Sequence, residues 1–246
     1  MPSKPGPSTR LFVTSDLFEA ATHECGAGQT NYLATVLRLD TGAELLVFNG
    51  RDGEWLAEIA EAGRRTCRLR AVKRIRPQTA GPDLHYLFAP LKRSRLDYMV
   101  QKATELGVAR LRPVLTRRTQ AERVNLERMR ANAIEAAEQC GVLWIPSIAE
   151  PDKFDRVLAS WDPVRPLVFC DEAADIANPI EVLARVPPGP IAVLIGPEGG
   201  FTVEERDVLR RLPFVVCLSL GPRIMRADTA AVAALTLVNA ILGDWR

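Results

Sequence analysis

The sequence predicts an α/β protein, a parallel sheet covered by helices and preceded by a small β-barrel. Three observations predict it. Residues 10–76 carry short alternating apolar segments separated by turn dipeptides, and residues 83–242 alternate strand-like with helix-like segments. Between them, residues 77–82 combine two prolines, a glycine and small residues, which places the boundary there and gives domains 1–77 and 78–246. At 246 residues the chain is comfortable for two such domains.

In the first domain the strand candidates are 11–13, 44–48, 55–59 and 67–75, with turns at Asp40-Thr41-Gly42 and Asn49-Gly50-Arg51-Asp52-Gly53. A helical piece at 31–38 interrupts them. In the second domain strands are expected at 85–90, 111–115, 167–170, 191–195 and 215–218, and helices at 94–106, 126–140, 180–185, 203–212 and 229–242. Asn125 is a candidate N-cap and Gly141 a candidate C′ residue for the helix at 126–140. The last helix differs from the others. Of residues 228–242, 11 of 15 are apolar and surround the helix, so it is expected to be buried, either in a homodimer contact or in the domain's own core.

Composition excludes several chemistries. No run approaches the length of about 20 apolar residues that a membrane-spanning helix needs, and residues 1–10 have no apolar h-region, so a cytoplasmic protein is expected. The five cysteines are scattered without a C-x-x-C pair, and the only histidines are His23 and His85, which leaves little for a metal site or a histidine triad. Net charge is +2, but residues 64–76 carry seven basic side chains and no acid, and residues 110–130 carry seven against two. Such clusters suit a polyphosphate; each could equally be a solvated face.

Two segments carry the chemistry. Leu194-Ile195-Gly196-Pro197-Glu198-Gly199-Gly200-Phe201-Thr202 leaves a strand and enters an acidic first helical turn, so its backbone can approach a ligand, though a plain strand-to-helix turn would read alike. Leu218-Ser219-Leu220-Gly221-Pro222-Arg223-Ile224-Met225-Arg226-Ala227-Asp228-Thr229 leaves another strand, turns at Gly-Pro and enters the apolar helix with Asp228 as the expected N-cap.

Together these segments resemble the cofactor loops of the SPOUT methyltransferases, specifically the G-P-E-G-G and L-G-x-R-I-L-R-x-E-T-A signatures of the 16S rRNA (uracil-N3) methyltransferase (RsmE) family. Tyr32-Leu33-Ala34-Thr35-Val36-Leu37-Arg38, Gln101-Lys102-Ala103-Thr104-Glu105-Leu106-Gly107-Val108 and Glu135-Ala136-Ala137-Glu138-Gln139-Cys140-Gly141 resemble further elements of the same family in the same order. The sequence departs from it at Asn31, where histidine is usual, at Val142, where arginine is usual, and at Ala227-Asp228, where Thr-Glu is usual.

The resemblance implies a PUA-like barrel followed by a SPOUT domain with a deep trefoil knot, a homodimer paired across it, and S-adenosylmethionine bent between the two loops. The implied cofactor contacts are Leu194, Ile195, Gly196, Pro197, Glu198, Gly199, Gly200, Leu218, Ser219, Leu220, Gly221, Ile224, Met225 and Arg226. The implied substrate is 16S rRNA or the small ribosomal subunit, which Arg10, Arg38 and Arg118 would hold, and no metal is expected. Arg226, with Arg118 from across the dimer, would stabilise the uracil anion. Glu198 is either a proton acceptor or a structural hydrogen-bonding group of its loop. Fold alone leaves open a different RNA substrate, or an RNA-binding protein without catalysis.

Overall fold

The computed structural model describes residues 9–63, 65–120, 123–175 and 178–245. Arg64 and Glu122 of the two basic stretches, and all but the last two residues of the 1–10 segment, lie outside the described residues. The chain divides into two compact units: Met1–Ala80 with Ala137–Trp144, and Gly81–Ala136 with Ile145–Arg246.

The first unit holds strands β1 (Arg10–Phe12), β2 (Thr22–Glu24), β3 (Glu44–Phe48), β4 (Glu54–Ala62) and β5 (Cys67–Arg76) in the order β1-β3-β4-β5-β2. Between β2 and β3 lie a short helix α1 (Ala27–Thr30) and a π-helical turn Asn31–Val36. The sheet is open between β1 and β2, and β1 pairs with β3 in parallel, so the expected small antiparallel barrel is a half-barrel with one parallel pair. The sequence reading also missed β2, whose Thr-His-Glu has no apolar alternation; it is held as an edge by pairing with β5. Leu11, Leu33, Leu45, Val47, Ala57, Ile59 and Leu69 fill the core.

Much of the basic run is neutralised on this sheet. Arg68 pairs with Glu24 at 2.9 Å, Arg70 with Glu58 at 2.5 Å and Arg76 with Glu54 at 2.7 Å, so the reading as a solvated strand face covers these three. Glu54 is different in being buried, with its side chain 4% exposed. It accepts from Arg10 Nε at 2.6 Å and from Arg76 Nε at 2.7 Å. Arg10 in turn donates to the carbonyls of Glu138 and Val142, both at 3.0 Å, and lies over the Phe48 ring. Carbonyls at a helix carboxyl end lack partners within the helix, so a cation is well placed there. Arg10 is therefore a buried structural pin, and the expected role as an rRNA phosphate ligand is corrected on that ground.

The second unit contains β6 (Leu84–Phe88), α2 (Arg93–Glu105), β7 (Arg110–Leu115), α3 (Leu126–Cys140), β8 (Ser147–Ile148), β9 (Asp152–Lys153), α4 (Phe154–Ala159), β10 (Leu167–Cys170), α5 (Pro179–Leu183), β11 (Ile191–Ile195), α6 (Val203–Arg211), β12 (Val215–Leu218) and α7 (Ala227–Ile241), with the end of α3 belonging to the first unit. The sheet order is β12-β10-β11-β6-β7-β8, with β9 also on β7, and every pairing is parallel. Alternation along the strands builds a core on each face. Tyr86, Phe88, Val193 and Ile195 face one core with Met99, Val100 and Leu235, whereas Leu87, Ala192 and Leu194 face the other with Phe154, Phe169 and Phe201. The short β8, β9 and α4 were not anticipated, being too brief for periodicity to register.

Asn125 caps α3 as expected, its Oδ1 accepting from Arg128 N at 2.9 Å, and Gly141 follows the helix at φ +88°. At α7 the cap is Arg226, and Asp228 sits inside the first turn instead. Its carboxylate there still complements the positive end of the helix dipole. No described helix is long and apolar enough to cross a membrane.

Burial pushes the Glu54 carboxyl up, but the hydrogen bonds and charges of Arg76 and Arg10 outweigh it and leave the carboxyl below its ordinary value of 4.5. The stabilisation it brings is thus present above that value and lost as pH falls through the lowered folded value. Glu54→Gln should cost about 3 kcal/mol in urea unfolding near neutral pH and remove that part of the acid dependence; an unchanged acid limb would count against the pin.

Candidate active site

The site lies beyond the carboxyl ends of three adjacent strands, where ligands bind in parallel α/β sheets. From β11 the chain continues into Gly196–Phe201, from β12 into Ser219–Arg226, and from β10, which lies between them, into Asp171 and Glu172. These segments enclose a cleft of about 430 Å³.

The first loop is shaped by packing. A Cβ on Gly196 would lie 2.5 Å from the Phe201 ring, which is buried edge-to-face against Phe169 at 5.1 Å. Gly200 turns at φ +69° with its amide donating to Pro197 O at 2.8 Å, and a Cβ there would meet Glu172 Oε1 at 2.5 Å. Thr202 caps α6 and Glu205 returns the bond, accepting from Thr202 N at 2.9 Å. The same buried carboxylate accepts from Arg117 N at 2.8 Å, which ties the Thr116–Thr119 turn to the loop. Arg118 then donates to Gly199 O at 2.8 Å.

Charges around the cleft are mostly paired. Asp171, with its side chain 1% exposed, holds Arg210 at 2.6 Å and Arg206 at 3.4 Å, and Glu172 holds Arg206 at 2.6 Å. Glu198 pairs with Arg95 of α2. Burial pushes the Cys170 thiol up to about 12, so no thiolate nucleophile is available there. His85 is near the amino end of β6, at the opposite edge from the cleft; burial, with the charge of Arg165, lowers it to about 4 and keeps it neutral.

Of the residues assigned to the cofactor by sequence, Ile195, Gly196, Pro197, Glu198, Gly200, Leu218, Ser219, Leu220, Gly221, Ile224, Met225 and Arg226 line the cleft. Leu194 points into the core at 1% exposure, and Gly199 turns outward against Arg118. Arg118 stands on the outer side of its own chain's loop, in a small hollow with Lys92, Gln120 and Glu198. Sequence reading missed Arg95, Asp171, Glu172 and Arg206, which also line the cleft. The acidic pair directly after an apolar strand was a usable signal for two of them.

Comparison with known proteins agrees with this geometry. Residues 79–239 match the RNA methyltransferase domain, and residues 26–72 the RNA methyltransferase PUA domain. Ribosomal RNA small subunit methyltransferase E from Rickettsia conorii is 31% identical over 96% of both chains, and its namesake from Synechocystis is 31% identical over 95% of this chain and 78% of that one. A Legionella pneumophila protein solved with bound S-adenosylmethionine superimposes with a TM-score of 0.82 at 28% identity, covering 94% of this chain and 97% of its own.

The two outer glycines of Gly196-Pro197-Glu198-Gly199 should respond differently to a methyl group. Gly196→Ala forces a carbon into Phe201 and should cost about 1–3 kcal/mol. Gly199→Ala meets only Arg118 at an ordinary 3.7 Å, and should stay within roughly 0.5 kcal/mol. Urea unfolding of both variants checks this, and equal costs would place the constraint elsewhere.

Proposed function

The chain belongs to the RNA methyltransferase family, and on that premise we propose that it transfers the methyl group of S-adenosylmethionine to N3 of a specific uridine in 16S rRNA. The cleft carries this reading: the loops after β11 and β12, which flank β10, face each other in a family whose Rickettsia and Synechocystis members are named ribosomal RNA small subunit methyltransferases. Its volume of about 430 Å³ lies within the roughly 300–1,000 Å³ typical of small-molecule sites. Ile195, Leu218, Leu220 and Met225 offer apolar walls for an adenosyl group. The bound donor supplies an activated methyl group; the protein's share is positioning and charge.

Uracil N3 becomes nucleophilic as its proton leaves, and negative charge then spreads over O2 and O4. Arg226, exposed at the cleft and at the N-cap of α7, is placed to stabilise that charge. Arg38 suits an RNA phosphate: it is exposed, stands at φ +54°, and makes no ion pair among the described residues. Arg118 braces the loop through Gly199 and offers its remaining donors to the RNA strand, so the arrangement favours phosphate holding over a direct part in methyl transfer.

A homodimer and a knot complete the proposal. One stripe of α7 (Ala227, Ala231, Ala234, Leu235, Val238) is buried in its own chain, which accounts for part of the burial expected of the helix. The opposite face, with Val232, Ala233 and Thr236, is only partly covered, and a second copy would cover it. The trefoil knot is supported by the placement of β10 between β11 and β12, whose following loops must fold around one cleft. The cytoplasm, where ribosomal RNA is modified, is the matching location.

Mass spectrometry of small-subunit rRNA from a deletion strain should show loss of one N3-methyluridine, and an unaltered nucleoside profile would reject the substrate. Arg38→Ala should weaken RNA binding and lower its salt slope by about one while leaving S-adenosylmethionine affinity intact. Arg226→Ala should lower the single-turnover rate at saturating RNA by about 10²-fold. Rate defects in both that excess RNA restores would make Arg226 another RNA clamp. For assembly, Val232→Glu should yield a monomer of 27.1 kDa in light scattering, whereas Leu235→Glu, at 1% exposure, should unfold the unit. A monomeric parent would reject the interface.

A further inference from the structure

The mouth of the cleft holds an ion pair that the cofactor role does not explain. Arg95, in the first turn of α2, reaches Glu198 in the glycine loop, and each side chain is 34% exposed. Both line the cleft, and Glu198 also borders the neighbouring hollow with Lys92 and Arg118. Pro197 and Glu198 therefore form a shared wall, with the proposed cofactor space on one side and two cations on the other.

Other acceptors in the cleft are committed elsewhere. Asp171 is buried between Arg206 and Arg210, Glu172 is held by Arg206 against Gly200, and burial keeps Cys170 protonated. No histidine lines it. Methylation at N3 of a neutral uracil must release the N3 proton, and Glu198 is the cleft carboxylate on the wall shared with the Lys92 and Arg118 hollow.

Uracil presents N3–H as a donor between two carbonyl acceptors, O2 and O4. A carboxylate beside a guanidinium presents the complement, an acceptor next to a donor. Cytosine, with a bare N3 and an amino group at C4, would set acceptor against carboxylate and donor against guanidinium.

We propose that Glu198 and Arg95 together read the imide edge of the target base, Glu198 as the acceptor of the N3 proton and Arg95 as the donor to the adjacent carbonyl. This rests on the N3-uridine reading of the site. In the step, the N3–H proton passes to a Glu198 carboxylate oxygen and the N3 electron pair forms the bond to the methyl carbon. The carbon–sulfur bond breaks with its electrons going to sulfur. The products are N3-methyluridine, a neutral thioether and a protonated Glu198, which returns its proton to water. Arg95, drawn off Glu198 by the base carbonyl, joins Arg226 in holding the negative charge, and without its cation neighbour the carboxylate becomes a stronger base.

The tests use the full-length protein and small-subunit rRNA. Glu198→Gln retains the shape and can accept a hydrogen bond but cannot take the proton. Its single-turnover rate near pH 7 should fall by about 10²-fold or more and should rise roughly tenfold per pH unit as hydroxide replaces the carboxylate, whereas the parent stays nearly flat. Ribosomal RNA carrying 5-fluorouridine, whose N3 proton is more acidic, should shrink the defect. A variant with the parent's rate and pH profile overturns the proton role. Binding without cofactor gives a second readout: the parent should prefer uridine over cytidine at the target position by about tenfold or more, and Arg95→Met should erase that preference while Arg95→Lys retains part of it. A preference untouched in Arg95→Met overturns the reading of the base. Should Glu198→Gln lose its fold, as judged by circular dichroism, the Arg95 pair and the fluorinated RNA on the parent still decide. A parent that leaves N3 of every uridine unmethylated would instead sink the substrate assignment on which the pair depends, a result distinct from either variant outcome.

Discussion

The site depends on one buried carboxylate. Glu205 closes the first turn of α6 by accepting from Thr202 N, and the same group accepts from Arg117 N, 88 residues earlier in the chain. A buried charge is tolerable only when it is hydrogen-bonded, and here every donor it uses is a backbone amide, so its position is set by main chain and not by flexible side chains. That fixes the end of the glycine loop against the turn after β7. With Phe201 clamped under Gly196, the loop is held at both ends, and of Gly196–Gly200 only Glu198 and Gly199 are exposed.

The distribution of arginines follows a related rule. Each of Arg10, Arg76, Arg165, Arg206 and Arg210 is tied to a carboxylate at 2.6–2.9 Å. Their pairing is structural, and truncating one member would strand the other. Arg38 and Arg226 have no such partner among the described residues, and each stands where the backbone itself is tightly defined, at φ +54° and at a helix cap respectively. Charge left unneutralised on a defined backbone is what an anionic substrate can use; counts of basic residues along the chain do not separate the two groups.

This is why legibility was uneven. The parallel sheet was readable because strands buried on both faces, such as Ile191–Ile195, are continuously apolar and sit between helices capped by Asn178 and Thr202. The cofactor loops were readable because glycine and proline mark backbone constraints locally. Arg10 was misassigned because its partners, Glu54 and the carbonyls after Ala137, are 44 and more than 120 residues away, and burial of a charged side chain leaves no local pattern. Arg95 and Arg206 were missed for the same reason: each sits on a helix face whose neighbour is fixed only by the tertiary arrangement. Gly199 looked equivalent to Gly196 and Gly200, but only contact with Phe201 and Glu172 distinguishes glycines that must be glycine from one that need not be.

Helix α7 shows how far composition can be pushed. A helix apolar at 11 of the 15 positions 228–242 has more apolar surface than one stripe can hide, and the single chain covers one stripe, through Leu235 and Val238 against Met99 and Val100. The uncovered side is made of Ala, Val and Thr, small enough to let a second helix approach closely but too small to supply much hydrophobic area by itself. An interface of that kind gains from tight packing over a broad surface more than from anchoring side chains. Because Arg226 caps α7, a partner seated along the helix would also restrict the loop from Ser219 to Arg226. Assembly and cofactor-site order would then be coupled through a single helix, so that the order of one wall of the cleft depends on a contact made outside it.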